Sequence, residues 1–433
     1  MNKISPSVPT NSHAASQSIY KKTVLPNGIR IVTEQIPYVR SVSIGIWVNV
    51  GSRDESEQNN GITHFVEHMV FKGTKRFNIQ QIARSLESVG GYLNAFTSKE
   101  HTCFYARTLD EYMPRAVDVL SDLVQYPLYN KAEMEKEKFV VLEELKNIED
   151  DPDDLIHDYL DRRVYHKHPL GFPVIGKVEN IKNFSTDDLV EYSRKHYIPN
   201  RIVVAGAGNL KHEEVVELIE KYFRANKLKS GNIKRTPATK TNHSKRETFD
   251  RPISQAHVCL GTIGYSVKSR QRYPLLVLNT LLGEGMSSRL FQNIREKYGF
   301  AYSVYSFANL MSDTGNFGAY IGTDKNNIEN SIELIQKELE KLRTKPVGSA
   351  ELKRTKAQLK GTMMLSLESM SSRMMRLGSG EMYLGEFIPY DEVLRKIDAV
   401  DVEAMLETAK HLFKPENFST IIFQPTISKE TSA

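Results

Sequence analysis

Gly61-Ile62-Thr63-His64-Phe65-Val66-Glu67-His68 is the stretch from which the rest of the chain can be read. The sequence predicts a short helix over 61–72. On a helix His64 and His68 stand four residues apart, one above the other on one face. Two imidazoles so placed can reach one divalent ion, and nitrogen donors suit zinc. Glu67 lies beside the same face, where it can hold a water at such an ion and take its proton. The order is H-x-x-E-H, the inverse of the commoner H-E-x-x-H.

Outward from this helix the chain alternates strands and helices. Lys22–Leu25 and Ile29–Thr33 flank Pro26-Asn27-Gly28, a hairpin turn signal. Ser41–Val50 is rich in Val and Ile and reads as a strand; it carries the single tryptophan, Trp47, read as a core residue. A helix over 78–89 stops at Gly90-Gly91, and strands follow over 92–97 and 101–108. Helices are predicted over 113–125, 131–148, 155–165 and 212–223, with a strand over 201–208. After residue 248 the plan restarts: strand 256–262, helices 273–282 and 287–297, then strand 301–309 after Gly299. This is an internal duplication, so the expected class is α+β: two homologous halves, each a largely antiparallel sheet covered by helices. The helix around Pro274–Leu282 has no histidine, so only the first half keeps the chemistry of His64. A Met-rich helix over 352–377 reads as core filling.

The expected boundaries are a disordered tail over 1–19, a catalytic domain over 20–225, a linker over 226–248 and a second domain over 249–433. The linker carries seven basic residues between Asn226 and Arg246 and no acidic one; without them the net charge of +5 becomes −2. The basic pI therefore belongs to one solvated segment and is no nucleic-acid footprint. The 433 residues contain no apolar run long enough for a membrane span. Cys103 and Cys259 lie far apart, which excludes a disulfide framework and a Cys-rich zinc module. Residues 1–18 contain no apolar h-region and no arginine. The expected location is thus a bacterial cytoplasm, and a mitochondrial matrix is not supported by the N-terminus.

A catalytic zinc needs a third protein ligand and an open fourth position. Helix 131–148 offers Glu133, Glu135, Glu137, Glu143 and Glu144. Glu137 and Glu144 are seven apart and share a face, with apolar Phe139, Val140 and Val141 between them. A buried carboxylate there needs a partner, and a metal or a metal-bound histidine would serve.

With these residues in view, the chain resembles the pitrilysin/insulinase family of inverted zinc peptidases, in the branch of mitochondrial processing peptidase and its bacterial relatives. The resemblance runs from about residue 20 to 425. It implies one zinc per chain on His64, His68 and Glu144, which stands 76 residues after His68. It implies Glu67 as the base and an auxiliary role for Glu137. Met69-Val-Phe71-Lys-Gly73-Thr74 also matches the family. So does Gly90-Gly91-Tyr-Leu-Asn94-Ala95-Phe96-Thr97, an edge strand on which family members lay the substrate by β-augmentation. Arg295 and Tyr302, seven apart, match a pair that contacts substrate carbonyls near the scissile bond and stabilises the oxyanion. Asp154 and Asp158 fall where processing peptidases receive an arginine of the presequence, which implies preference for a basic residue near the cleavage site.

The resulting expectation is a zinc endopeptidase acting on unfolded or short peptides. The resemblance implies a homodimer, or a heterodimer with a non-catalytic homologue. Two rival readings are a non-catalytic peptide-binding or scaffold subunit of the same family, and a metal-dependent hydrolase of non-peptide substrates. The retention of His64, Glu67, His68, Glu137, Glu144, Arg295 and Tyr302 together argues against a scaffold.

Overall fold

The computed structural model describes residues 19–223, 235–238 and 244–426. The first half is built on strands β1 (Ile19–Val24), β2 (Arg30–Gln35), β3 (Ser41–Val48), β4 (Tyr92–Thr97), β5 (Thr102–Leu109) and β6 (Ile202–Gly208). They form one sheet in the order β1-β2-β6-β3-β5-β4, antiparallel except for β2 and β6. The second half uses β7 (Arg246–Arg251), β8 (Ala256–Ile263), β9 (Ala301–Leu310), β10 (Gly315–Thr323) and β11 (Ser419–Pro425), in the order β7-β11-β8-β10-β9. Here only β7 and β11 are parallel. The α+β class and its two largely antiparallel sheets are as expected.

The helices of the first half are α1 (Ile62–Val70), α2 (Ile79–Glu87), α3 (Met113–Gln125), α4 (Lys131–Asp150), α5 (Pro152–Val164), α6 (Val178–Asn183), α7 (Thr186–His196) and α8 (His212–Tyr222). Those of the second are α9 (Arg272–Gly283), α10 (Ile328–Thr344), α11 (Ser349–Ser366), α12 (Met370–Leu384), α13 (Tyr390–Asp398) and α14 (Val402–Leu412). The helix expected over 287–297 is wound as a π-helix across Phe291–Glu296. The single Met-rich helix is two helices. Ser369 breaks it, its hydroxyl accepting from Ser372 N to cap α12. Met370 and Met374 are buried as expected, whereas Met364 is exposed.

Alternation along β3 assigns its two faces. Val42, Ile44, Ile46 and Val48 pack into one core with Phe65, Val66 and Met69 of α1. Trp47, on the opposite face, packs with Cys103, Val203, Met374 and Leu377. The last two belong to α12, so a helix from the second half covers the outer face of the first sheet. The exchange is reciprocal: Leu155, Ile156, Leu160 and Val164 of α5 pack with Cys259, Tyr320, Ile421 and Phe423 of the second sheet. Each half therefore completes the apolar cover of the other, and neither sheet is buried on both faces without its neighbour.

The expected solvated linker is corrected where it is described. Arg246 to Thr248 already form β7. Arg235 is not solvated: its Nη2 lies 2.7 Å from Asp54 Oδ2 and donates to the Glu100 carbonyl at 2.6 Å. Beside it, buried Arg53 joins Glu100 at 2.7 Å and Asp313 of the β9–β10 loop at 2.6 Å. A buried cation needs such partners, and this network ties the basic segment and both halves together. Linker positions 226–234 and 239–243 and residues 1–18 lie outside the described residues; Ile19, placed in the tail, is the first residue of β1.

Candidate metal centre

Helix α1 forms because Ile62, Phe65, Val66, Met69 and Val70 recur at i, i+3, i+4, i+7 and i+8, and all five are buried. His64, Glu67 and His68 are left on the side that faces α4 and β4. The helix begins at Gly61, whose φ of +100° is a left-handed conformation. A Cβ there would also lie 2.8 Å from Gly176 Cα and from the Ile175 carbonyl oxygen. The first turn is capped by a residue the sequence reading missed. Glu55 accepts from the backbone N–H of Gly61 at 2.9 Å and of Thr63 at 2.8 Å, and from the Asn60 amide at 2.9 Å. An anion at a helix N-terminus is favourable. Burial nevertheless pushes the Glu55 carboxyl up to about 7. Its only sequence signal is an acidic residue shortly before a helix-starting glycine.

The rings of His64 and His68 lie 4.5 Å apart. Each turns Nε2 toward Glu144: His64 Nε2 is 3.6 Å from Oε1 and His68 Nε2 is 3.4 Å from Oε2. Donor atoms of these three residues all lie within 4.8 Å of one another, and they form the only such group among the described residues. These gaps are too long for hydrogen bonds and leave room for a small ion between the donors. Two imidazoles and one carboxylate match the donor set of a catalytic zinc with an open position.

Glu137, two turns before Glu144 on α4, is buried. Its Oε1 lies 2.9 Å from His68 Nδ1 and its Oε2 lies 2.5 Å from Lys72 Nζ. Burial would raise its pKa, but the bonds from His68 and Lys72 hold it below the usual carboxylate range. An ionised Glu137 can only accept, so His68 Nδ1 carries a proton and Nε2 is the ring nitrogen left to meet an ion. His64 has no such support: its Nδ1 is buried without a partner among the described residues.

Glu67 sits between α1 and the end of β4, where its Oε2 accepts from the Thr97 hydroxyl at 2.6 Å. The sequence reading placed Thr97 in the strand but gave it no role. One carboxylate oxygen is thus occupied and the other is left for chemistry. Among the described residues β4 pairs only with β5, setting Asn94 opposite Tyr105, Ala95 opposite Phe104 and Phe96 opposite Cys103. Its other edge, on the side of Glu67, has no strand partner among the described residues.

The remaining expected residues are not brought to this group within the chain. Arg295 Nη1 donates to the Tyr302 carbonyl at 2.6 Å, and its guanidinium lies 5.5 Å from the Tyr302 ring. Tyr302 is 76% exposed. Among the described residues, no hydrogen bond, ion pair or ring contact joins either one to His64, Glu67, His68, Glu137 or Glu144. Asp154 is exposed at the start of α5, and Asp158 lies 3.7 Å from Lys99 Nζ. Lys99 is shared with Asp161, which also binds Asn316 of β10 at 2.6 Å. Asp161 thus docks α5 on the second sheet through Asn316, and Asp154 stays free of ion pairs among the described residues.

Residues 30–178 match the family model described as insulinase (peptidase family M16). Residues 183–359 match the one described as peptidase M16 inactive domain. A Bacillus subtilis protein named as an uncharacterised zinc protease is 42% identical over 407 residues, covering 94% of this chain and 98% of its own. The chain belongs to the M16 peptidase family. A zinc protease of Streptomyces coelicolor, also named as uncharacterised, is 39% identical over 89% of this chain and 86% of its own. The crystal structure of a Helicobacter pylori protease superposes with a TM-score of 0.90 at 23% identity, over 94% of this chain and all of that one, which shows a shared fold. Within this M16 chain the two matched regions differ as α1 and α9 differ: α9, Arg272–Gly283, contains no histidine. No helix among the described residues is long and apolar enough to cross a membrane.

Proposed function

We propose that this chain is a zinc-dependent endopeptidase that cleaves extended peptides. The observation that carries the reading is the convergence of His64 Nε2, His68 Nε2 and the Glu144 carboxylate beside an open strand edge. These three residues would hold one zinc ion. Zinc, when bound, polarises the scissile carbonyl and lowers the pKa of water. Glu137 fixes the His68 ring through Nδ1. Glu67 takes a proton from the attacking water and passes it to the leaving amine, while Thr97 holds its other oxygen. The open edge of β4 pairs with the substrate backbone, leaving alternate substrate side chains to face the protein. Asp154 is the carboxylate available to a basic substrate residue, and Asp158 would have to share Lys99 with it. The expected cytoplasmic location is part of this proposal.

Tyr302 is exposed, Arg295 is half-buried, and both are separate from the zinc group, which favours their delivery by a second copy of the chain. The site of one subunit is then completed by the second half of its partner. Mixing Glu67→Gln with Arg295→Ala tests both parts on a basic peptide of about 15 residues, a length sufficient to span β4. Each variant alone should be inactive and the mixture should regain hydrolysis that chelation abolishes and zinc restores. Inactive parents with an inactive mixture would overturn shared sites, and activity in Glu67→Gln alone would overturn the base.

A further inference from the structure

Strand β4 turns alternate side chains to opposite faces of the first sheet, and the two faces differ. Leu93, Ala95 and Thr97 face α1. Leu93 and Ala95 pack against the core that holds Phe65 and Met69, and Thr97 holds Glu67. Tyr92, Asn94 and Phe96 face the other way, to the side on which α12 covers β2, β3 and β6. There Phe96 rests edge-on against Trp47, with ring centres 5.7 Å apart.

Three rings make a notch around Asn94. Tyr105 stands directly opposite Asn94 on β5. Its ring lies 6.1 Å from that of Tyr92 and 6.3 Å from that of Phe96. Asn94 is small and exposed, and its Oδ1 turns back to the Ala95 N–H at 2.8 Å. Tyr92 is 40% exposed. Neither β4 nor β5 places a carboxylate on this face. Their one charge here is Arg107, opposite Tyr92, which is exposed and makes no ion pair or hydrogen bond among the described residues.

We infer, on the reading of the zinc group as a peptidase site, that this notch selects a large apolar or aromatic substrate side chain about three residues from the scissile bond. A peptide paired with the free edge of β4 has one residue level with Asn94, and the side chain of that residue shares the face of Asn94. It lies between its diagonal neighbours Tyr92 and Phe96, with the Tyr105 ring behind. Thr97, which holds Glu67, marks the place of the chemistry; Asn94 is three residues away, about 10 Å along the strand. Rings offer apolar area and edge-to-face contact, which suits Phe, Tyr, Leu or Met. A lysine or arginine at the same place would meet the Arg107 charge.

Two sets of peptides of about 15 residues test the inference, one varied only at the third residue before the scissile bond and one only at the third residue after it. Mass spectrometry confirms the cleavage site. In one set wild type should cleave the Phe member with a kcat/KM about 10-fold above that of the Ala member, and the Lys member should be cleaved least. Tyr92→Ala and Tyr105→Ala should each bring the Phe-to-Ala ratio toward one, with zinc content unchanged. Preferences at the adjacent position, whose side chain turns to α1, should keep their wild-type order in both variants. If one variant does not fold, the other decides. Hydrolysis with equal rates for Phe and Ala in both sets, or a preference that survives the substitutions, would overturn the inference and leave the peptidase reading standing. Absence of hydrolysis by the zinc-loaded wild type would overturn that reading and the inference with it.

Discussion

Gly378 of α12 lies against the indole of Trp47 so closely that a Cβ on it would fall 2.2 Å from Cε2 and Nε1. One residue from the second half and one from the first thus set the distance between helix and sheet. The pair sits in the small core formed by Trp47, Cys103, Met374 and Leu377, and Trp47 is 2% exposed.

Gly378→Ala should therefore destabilise the fold by about 1–3 kcal/mol or more through overpacking. Trp47→Phe in the same chain should recover part of that loss, because the ring that must move is smaller. Chemical denaturation of the two single variants and the double variant measures the coupling. Additive losses would contradict the contact. Because α5 and α12 are exchanged between the sheets, the wild type should also unfold in one transition rather than half by half.

Glu137→Gln removes the negative charge that orders His68. Zinc affinity, measured by competition with a chelator, should fall about 10- to 100-fold, the usual effect of losing such a partner. The far-ultraviolet spectrum should not change. Unaltered affinity would mean that His68 is oriented by something other than Glu137.

Two buried histidines give the fold an acid limit. Burial, with the Arg201 charge added, lowers His196 to about 4, and its Nδ1 accepts from Arg201 at 3.0 Å. Burial likewise lowers His101 to about 4, between the rings of Trp47, Phe96 and Tyr383. Both folded values lie below the ordinary 6.5, so the folded state binds fewer protons than the unfolded one. Their contribution is complete above pH 6.5 and is lost as pH falls toward 4. By linkage each costs about 2 kcal/mol at pH 5. Replacing His101 by Asn should flatten the decline of unfolding free energy between pH 6.5 and 5, and an unchanged slope would contradict the assignment.

Much of the first half was legible because its signals are local. The turn at Pro26-Asn27-Gly28, the stop at Gly90-Gly91 and the apolar stripe of α1 each announce an element within a few residues. Helices α6 and α7 were missed because neither the Asn-rich turn of α6 nor the polar face of α7 gives a strong period; Ser185 caps α7 with Asp188, a signal that was available. In the second half β7 was hidden inside a basic run, since Arg246-Glu-Thr-Phe-Asp-Arg251 alternates at an edge and lacks a continuous apolar run.

The candidate centre was legible only in part for a related reason. His64 and His68 declare themselves by helical spacing, but Glu144 is brought to them by the packing of α4, which no local rule fixes. Glu55 and Thr97 act through hydrogen bonds made from a loop and a strand end, and a lone Glu or Thr carries no spacing signal. The carboxylates of α5 carry two signals at once, because a carboxylate can serve a packed interface as well as a substrate. Asp153 Oδ1, for example, accepts from the Tyr305 hydroxyl of the second sheet at 2.9 Å.

The central claim is that Glu67 does the proton chemistry at a zinc held by His64, His68 and Glu144. Metal content and peptide hydrolysis measured in parallel on wild type and Glu67→Gln test it most directly. The expected result is one zinc per chain in both proteins, hydrolysis by wild type, and a rate for Glu67→Gln lower by about 100-fold or more. A folded wild type that retains no zinc would contradict the site, and undiminished hydrolysis by Glu67→Gln would contradict the role of Glu67.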